Sequence, residues 1–232
     1  MKAQKISYHI TKLETWFLFK ISAWLVQAND GVYIVDTGMG FMGKAILQQA
    51  EKLGKVKGVL LTHGHSDHVG GLKHILKGKE IPVYAHPIEL PYLSGKQPYP
   101  GRKKAETPPV DPSLIQPLPI DSQGNLLPIG ELMPYHTPGH SPGHVAYYHV
   151  NDGVLISGDL FTSKGGKLQK PMASFTADME EAVASASIVA ELKPKLVSIA
   201  HSADVENAHE HIEQYLRANQ APAHNLHSVK HS

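Results

Sequence analysis

The segment Thr62-His63-Gly64-His65-Ser66-Asp67-His68 places three imidazoles and one carboxylate within six residues, directly after the apolar run Val59-Leu60-Leu61. Imidazole nitrogens and carboxylate oxygens are ligands for zinc, manganese, iron and cobalt. His63 and His65 stand two apart, so an extended chain turns both to one side. Asp67 and His68 follow where the chain begins to turn and can face a second, adjacent position. Hydrogen bonding alone does not require this spacing. The chemistry on offer is ligation of two neighbouring cations and activation of a water between them.

Three further segments supply partners. His140 lies in Thr137-Pro138-Gly139-His140-Ser141-Pro142-Gly143-His144, where glycine and proline fix a tight path. Asp159 ends Ser157-Gly158-Asp159, and its two oxygens can bridge two cations. His201 follows the apolar run Leu196 to Ala200. The ligand count closes: His63, His65 and His140 serve one metal, Asp67, His68 and His201 the other, with Asp159 between them. Each metal keeps an open place for a bridging water or hydroxide. The expected cofactors are two divalent ions, zinc first, with manganese, iron or cobalt also suited to these ligands. Asp67 is the expected catalytic group, placed to orient the water and carry a proton. Asp36 is expected either as a turn residue or as an acceptor that orients the His63 loop, and His144 as a residue behind the ligands. His74, His86, His136, His149, His209 and His211 read as surface or hydrogen-bonded histidines, and His224, His227 and His231 fall in a polar tail. Lys164, Lys167 and Lys170 flank Gly165-Gly166 and read either as a solvated loop, the favoured reading, or as contacts to a carboxylate or phosphate on the substrate.

The elements that must position these groups alternate between strand and helix. Ile6 to Ile10 and Trp16 to Phe19 read as strands. Ala23 to Ala28 and Val32 to Val35 flank the turn Asn29-Asp30-Gly31. Helical spacing runs from Phe41 to Leu53 and stops at Gly54. A buried strand, Val56 to Leu61, leads into the histidine turn. A helix is expected over His68 to Leu76 and a strand over Ile81 to Ala85. The span from His86 to Pro134 holds eleven of the seventeen prolines. It reads as an insertion, either a surface excursion or a pocket wall, with Tyr92, Tyr99 and Arg102 as candidate contacts. Beyond it, Val145 to Val150 and Val154 to Ile156 flank Asn151-Asp152-Gly153, an echo of the first hairpin. Asp178 to Leu192 reads as a helix with a capping-box start at Asp178 and Glu181. Leu196 to Ala200 reads as a strand and Val205 to Leu216 as a last helix. The pattern is α/β. Two similar β-rich halves can pack as sheets face to face with helices outside. No linker divides the 232 residues, so a single domain, 1–232, is expected, with the insertion at about 86–134.

Bulk composition narrows the partners. The formal charge is +1, which gives no field favouring nucleic acid or an anionic membrane. No apolar stretch is long enough to span a bilayer. The N-terminus lacks the apolar core of a secretory signal, so a cytoplasmic location is expected. Zero cysteines exclude disulfides and thiolate metal sites. A small-molecule substrate is expected, with no nucleic acid and no membrane, and the oligomeric state is not legible.

At His63-x-His65-x-Asp67-His68, followed in order by His140, Asp159 and His201, the chain resembles the metallo-β-lactamase-fold hydrolase superfamily, from about Asp36 to His201. The resemblance implies a four-layer αβ/βα sandwich, two mixed sheets face to face with helices outside, and a dinuclear site at their common edge. It also implies a metal-dependent hydrolase using a metal-bridging hydroxide on a small ester, thioester, lactone or phosphodiester. Thr137 to His144 looks like the matching segment of the acyl-homoserine-lactone lactonases and of glyoxalase II. The 31 residues after His201 offer no room for the helical C-terminal domain of glyoxalase II. Leu160 to Lys164 lacks the tyrosine that lactonases commonly place there. The Asp67-His68 pair departs from the commonest true β-lactamases. The alternative on the same scaffold is a mononuclear iron oxygenase similar to the persulfide dioxygenases.

Overall fold

In the computed structural model, residues 1–219 are described. The tail histidines His224, His227 and His231 lie outside them. The first sheet holds seven strands in chain order: β1 (Lys2–Lys5), β2 (Ile10–Phe17), β3 (Phe19–Ala28), β4 (Gly31–Val35), β5 (Val56–Leu60), β6 (Val83–Ala85) and β7 (Ile115–Pro117). It is antiparallel through β4 and parallel from β4 to β7. The second sheet is built from β8 (Leu132–His136), β9 (Val145–His149), β10 (Val154–Ile156), β13 (Leu196–Ser198) and β14 (Val205–Glu206), in the order β14-β13-β10-β9-β8. A small hairpin, β11 (Thr162–Lys164) and β12 (Lys167–Gln169), stands apart and carries the exposed Lys164, Lys167 and Lys170. The helices are α1 (Gly43–Leu53), α2 (Ser66–Val69), α3 (Leu72–Ile75), α4 (Leu90–Leu93), α5 (Met179–Ser185), α6 (Ile188–Leu192) and α7 (Ile212–Ala218).

Strand periodicity produces the layers. On β3, Trp24 and Val26 face the second sheet and pack with Tyr147, Val154 and Ile156. The alternate residues Ala23 and Leu25 face the other way, against Ile46 and Ala50 of α1 and Leu72 of α3. The second sheet does the same: Leu155 and Val197 turn outward onto Val183, Val189 and Ile212. Three apolar layers separate four layers of structure, the expected αβ/βα sandwich. Buried polar contacts lock the two sheets in register. Trp24 Nε1 donates to Ser198 Oγ at 2.8 Å, Ser22 Oγ to the Ala200 carbonyl at 2.7 Å, and Tyr147 OH to the Leu61 carbonyl at 2.9 Å.

Several elements depart from the sequence expectations. Ile6 to Ile10 is not a strand, and β2 starts where that expectation ends. The expected strand Trp16 to Phe19 is a hairpin tip: Leu18 has φ +61°, and Phe17 pairs with Phe19. The helix expected over His68 to Leu76 starts earlier, at Ser66, and breaks at Gly70-Gly71. There the chain passes so close to the β4–α1 connection that a Cβ on Gly71 would lie 2.3 Å from the Thr37 carbonyl oxygen. Asp178 caps α5 as expected, accepting the Glu181 N–H at 2.9 Å. The helix nevertheless ends at Ser185 and resumes at Ile188. Ser187 Oγ donates to the Ala184 carbonyl at 2.7 Å, the local competition by which serine interrupts helices. Val205 opens no helix, because it pairs with Val197 at the edge of the second sheet. The proline-rich span is no loose excursion: it supplies α4, edge strand β7 and the start of β8.

One glycine sets the approach of the site loop to its supporting helix. Gly139 has φ +122°, and a Cβ there would sit 2.1 Å from the Ala182 nitrogen in α5. Gly139→Ala is expected to destabilise the protein by at least about 1–3 kcal/mol, the usual range for overpacking. Denaturant unfolding checks this, and an unchanged midpoint would contradict the packing account.

Candidate metal centre

Each proposed ligand lies at or beyond the end of a strand, or in a loop lying against one. His63 and His65 leave β5. Asp67 and His68 open α2, His140 lies in the β8–β9 loop, Asp159 follows β10 and His201 follows β13. Both sheets deliver these ends to the same edge of the sandwich. The seven residues form two overlapping groups.

In the first group, His63 Nε2 lies 2.9 Å from His65 Nδ1, which lies 3.0 Å from His140 Nε2. In the second, His68 Nε2 and His201 Nε2 are 3.2 Å apart. Asp67 Oδ2 lies 3.3 Å from His201 Nε2 and 3.8 Å from His68 Nε2. Asp159 joins the groups. Its Oδ1 is 3.1 Å from His201 Nε2 and 3.3 Å from His68 Nε2, and its Oδ2 is 3.3 Å from His140 Nε2.

The donor set fits metal ions. Ligand atoms around a tetrahedral centre with bonds near 2.0–2.1 Å are about 3.3 Å apart, close to the separations found. Asp159 Oδ1 is a buried acceptor with no hydrogen-bond donor, a costly state that a cation relieves. Protonation follows the same logic. Burial, then the neighbouring His68, hold His63 well below the usual imidazole range. Burial and His140 do the same to His65, and burial lowers His140 to about 4. These three rings present lone pairs. Burial also opposes protonation of His68, but the carboxylates of Asp159, Asp67 and Asp36 outweigh it and raise its pKa well above normal. Burial opposes ionisation of Asp159, yet the charges of His201, His68 and His140 hold its carboxyl well below the carboxylate range. The second position therefore attracts positive charge.

Behind the ligands stands a set of orienting groups. Asp36, buried with φ +57°, accepts from the Thr62 N–H at 2.8 Å, from Thr62 Oγ1 at 2.7 Å and from His68 Nδ1 at 2.8 Å. Thr62 Oγ1 in turn accepts from His63 Nδ1 at 3.0 Å. Asp36 thus turns two imidazoles so that both Nε2 atoms face the centre, and is also the turn residue of its strand. His201 Nδ1 donates to the Lys20 carbonyl at 2.6 Å. His144 is fully buried and has both nitrogens engaged. Nδ1 faces Thr137 Oγ1 at 2.9 Å, and Nε2 accepts the Asp159 N–H at 3.1 Å. Burial and the neighbouring His140 lower its pKa to about 3, so it stays neutral and anchors Asp159.

The sequence reading missed Glu89. This residue is wholly buried. Oε1 accepts from the Gly64 N–H at 2.9 Å and from Tyr99 OH at 2.6 Å. Oε2 accepts from Ser141 Oγ at 3.1 Å and the Gly143 N–H at 2.8 Å. One carboxylate therefore ties the His63–His65 turn to the loop carrying His140. Burial pushes its pKa up, and the four donated bonds oppose that shift. The only sequence signal was a charge inside the apolar Pro87-Ile88-Glu89-Leu90-Pro91. Of the insertion's candidate contacts, Tyr99 meets the His65 ring edge-on at 4.8 Å, and Tyr92 stacks on Tyr99. Arg102 lies 5.6 Å over Tyr99 and pairs with Glu106. Glu89→Gln places an amide N–H against donors. It is expected to lower metal affinity or turnover about 10–100-fold, as loss of ligand-orienting partners generally does. Metal content and initial rates measured on one preparation check this.

Known proteins resemble this chain in sequence and fold. The family profile of the Metallo-beta-lactamase superfamily matches residues 16–201. A probable metallo-hydrolase of Bacillus subtilis, YybB, is 37% identical over 209 residues, covering 88% of this chain and 93% of its own. A hydroxyacylglutathione hydrolase of Shewanella loihica is 29% identical over 149 residues, covering 62% of this chain and 49% of its own. Among solved structures, a protein crystallised in a di-iron-bound form superposes with a TM-score of 0.64 at 26% identity, covering 84% of this chain and 94% of that one. The matched span begins at the β2–β3 hairpin and ends on the last of the proposed ligands, so the chain belongs to the metallo-β-lactamase superfamily.

Proposed function

We propose that the protein binds two divalent metal ions, through His63, His65 and His140 on one side and Asp67, His68 and His201 on the other, with Asp159 shared. The observation that carries this reading is the position of Asp159, whose two oxygens face different imidazole groups. The enzyme is a metal-dependent hydrolase. A bound cation pair supplies a water of lowered pKa and polarises the substrate oxygen. The chain's own residues do the rest. Asp67, partly exposed beside the second group, orients the attacking water and takes up its proton. Asp36, His144 and Glu89 hold the ligands in place before substrate arrives, so that little reorganisation is needed during reaction.

The substrate is a small ester, thioester or lactone in preference to a phosphodiester. An apolar ring borders the site: Phe19 meets His201 edge-on at 5.1 Å, and its hairpin partner, exposed Phe17, lies 5.6 Å from exposed Phe41. The nearby Arg102 is paired with Glu106. The relation to a hydroxyacylglutathione hydrolase agrees with an acyl substrate, and the di-iron neighbour makes iron a candidate beside zinc. Elemental analysis, joined to rates on p-nitrophenyl esters, lactones and bis(p-nitrophenyl) phosphate, tests the proposal. Two metals per chain at the centre and faster acyl cleavage are expected. A single iron with oxygen consumption would replace this reading by the mononuclear oxygenase, and faster phosphodiester cleavage would overturn the substrate class.

A further inference from the structure

A second cluster lies at the far end of the sandwich. β9 enters from His144, beside the metal centre, and leaves at His149, five residues or about 16 Å further on. There His149, at the end of β9, meets Glu131, just before β8, and His9, just before β2. Each of the three can offer one ligand atom, all lying within 4.8 Å of one another. The rings of His9 and His149 stack at 4.9 Å with 28° between their planes. His149 is fully buried, and its Nε2 has no hydrogen-bond partner. That nitrogen points at Glu131 Oε2, 3.5 Å away, too far for a good hydrogen bond.

Asp152 supports both rings from behind. Its Oδ1 accepts from His9 Nδ1 at 2.7 Å and lies 3.7 Å from His149 Nδ1. Its Oδ2 accepts from Ser7 Oγ and from the His9 N–H at 2.8 Å. A carboxylate behind the distal nitrogen is the usual support of a metal-binding histidine. With Nδ1 of His9 donating to Asp152, Nε2 of His9 carries the free lone pair. His149 Nδ1 accepts the Asp152 N–H at 3.2 Å, so in the metal-free state its proton sits on Nε2. A cation takes the place of that proton only with the other tautomer, in which Nδ1 carries the proton and the Asp152 N–H gives up its bond to this ring.

We propose that His9, His149 and Glu131 form a third, structural metal site that takes a zinc-type divalent cation, with Asp152 orienting the two imidazoles. Two nitrogens and one carboxylate suit zinc and leave one place for water. They are too few oxygens for calcium and too nitrogen-rich for magnesium. The ligands come from both sheets, His9 from the first and Glu131 and His149 from the second. The ion is a clip between them, remote from the reaction.

The test uses the full chain, stripped with chelator, loaded with zinc, desalted and assayed for bound metal. Wild type is compared with His9→Gln, Glu131→Gln and His149→Gln. Each variant is expected to retain one equivalent fewer than wild type, with ester hydrolysis within about twofold of wild type and a smaller zinc-dependent rise in melting temperature than wild type shows. The comparison cancels whatever the seven-residue centre or the tail histidines bind, so failure of the two-metal reading leaves it intact. Should His149→Gln fail to fold, the partly exposed His9 and Glu131 still decide. Equal metal content in wild type and the His9 and Glu131 variants overturns the proposal. Loss of hydrolysis together with that equivalent overturns its separation from the reaction.

Discussion

Asp159→Ala is expected to lose bound metal and catalytic turnover together, leaving hydrolysis at the background rate. Among the described residues it is the carboxylate with an oxygen toward each side: Oδ1 serves the His68–His201 side and Oδ2 the His140 side. The mutation removes the one carboxylate shared by the two positions. His68 and His201, which now carry raised pKa values because Asp159 and its neighbours attract their protons, would lose their principal counter-charge. Packing changes little, since a methyl replaces a small side chain at the end of β10. A variant that keeps its fold by circular dichroism, its full complement of metal and its turnover would contradict the shared-ligand assignment.

Asp67→Asn is expected to lower kcat by about 10²–10⁴, the range of a lost acid–base group, with KM changed by no more than a few-fold. The amide keeps an oxygen toward His201 but cannot take up a proton. Metal content decides between two origins of any defect. Retained metal with depressed kcat supports the proton role, while parallel loss of both makes Asp67 a ligand first. Normal kcat with full metal removes the role altogether.

What was legible in the chain had a local cause. His63 and His65 could be paired from a spacing of two beside a buried strand, and the observed rings do meet. The Asn29-Asp30-Gly31 and Asn151-Asp152-Gly153 turns each join paired strands, β3 with β4 and β9 with β10. Asp178 caps its helix through a contact three residues away. Errors came where a distant contact overrode a local pattern. The apparently continuous helix is interrupted at Gly71, whose N–H is taken by the Gly38 carbonyl at 3.1 Å, and Val205 is drawn into the second sheet by Val197. Glu89 escaped notice because its four donors come from Gly64, Tyr99, Ser141 and Gly143. His149 read as an ordinary histidine because its neighbours His9 and Glu131 are remote in sequence.

The order and types of the proposed ligands, the α/β alternation and the exclusion of thiolate chemistry are written in the sequence, since they depend on residue identity and short spacing. Tertiary structure alone decided which nitrogen of each imidazole faces the centre, that Asp159 stands between two groups, and that Glu89 clamps both loops. Those outcomes depend on how two sheets pack. Contacts such as Trp24 with Ser198 and Ser22 with Ala200 span more than 170 residues, a distance over which no local pattern carries information.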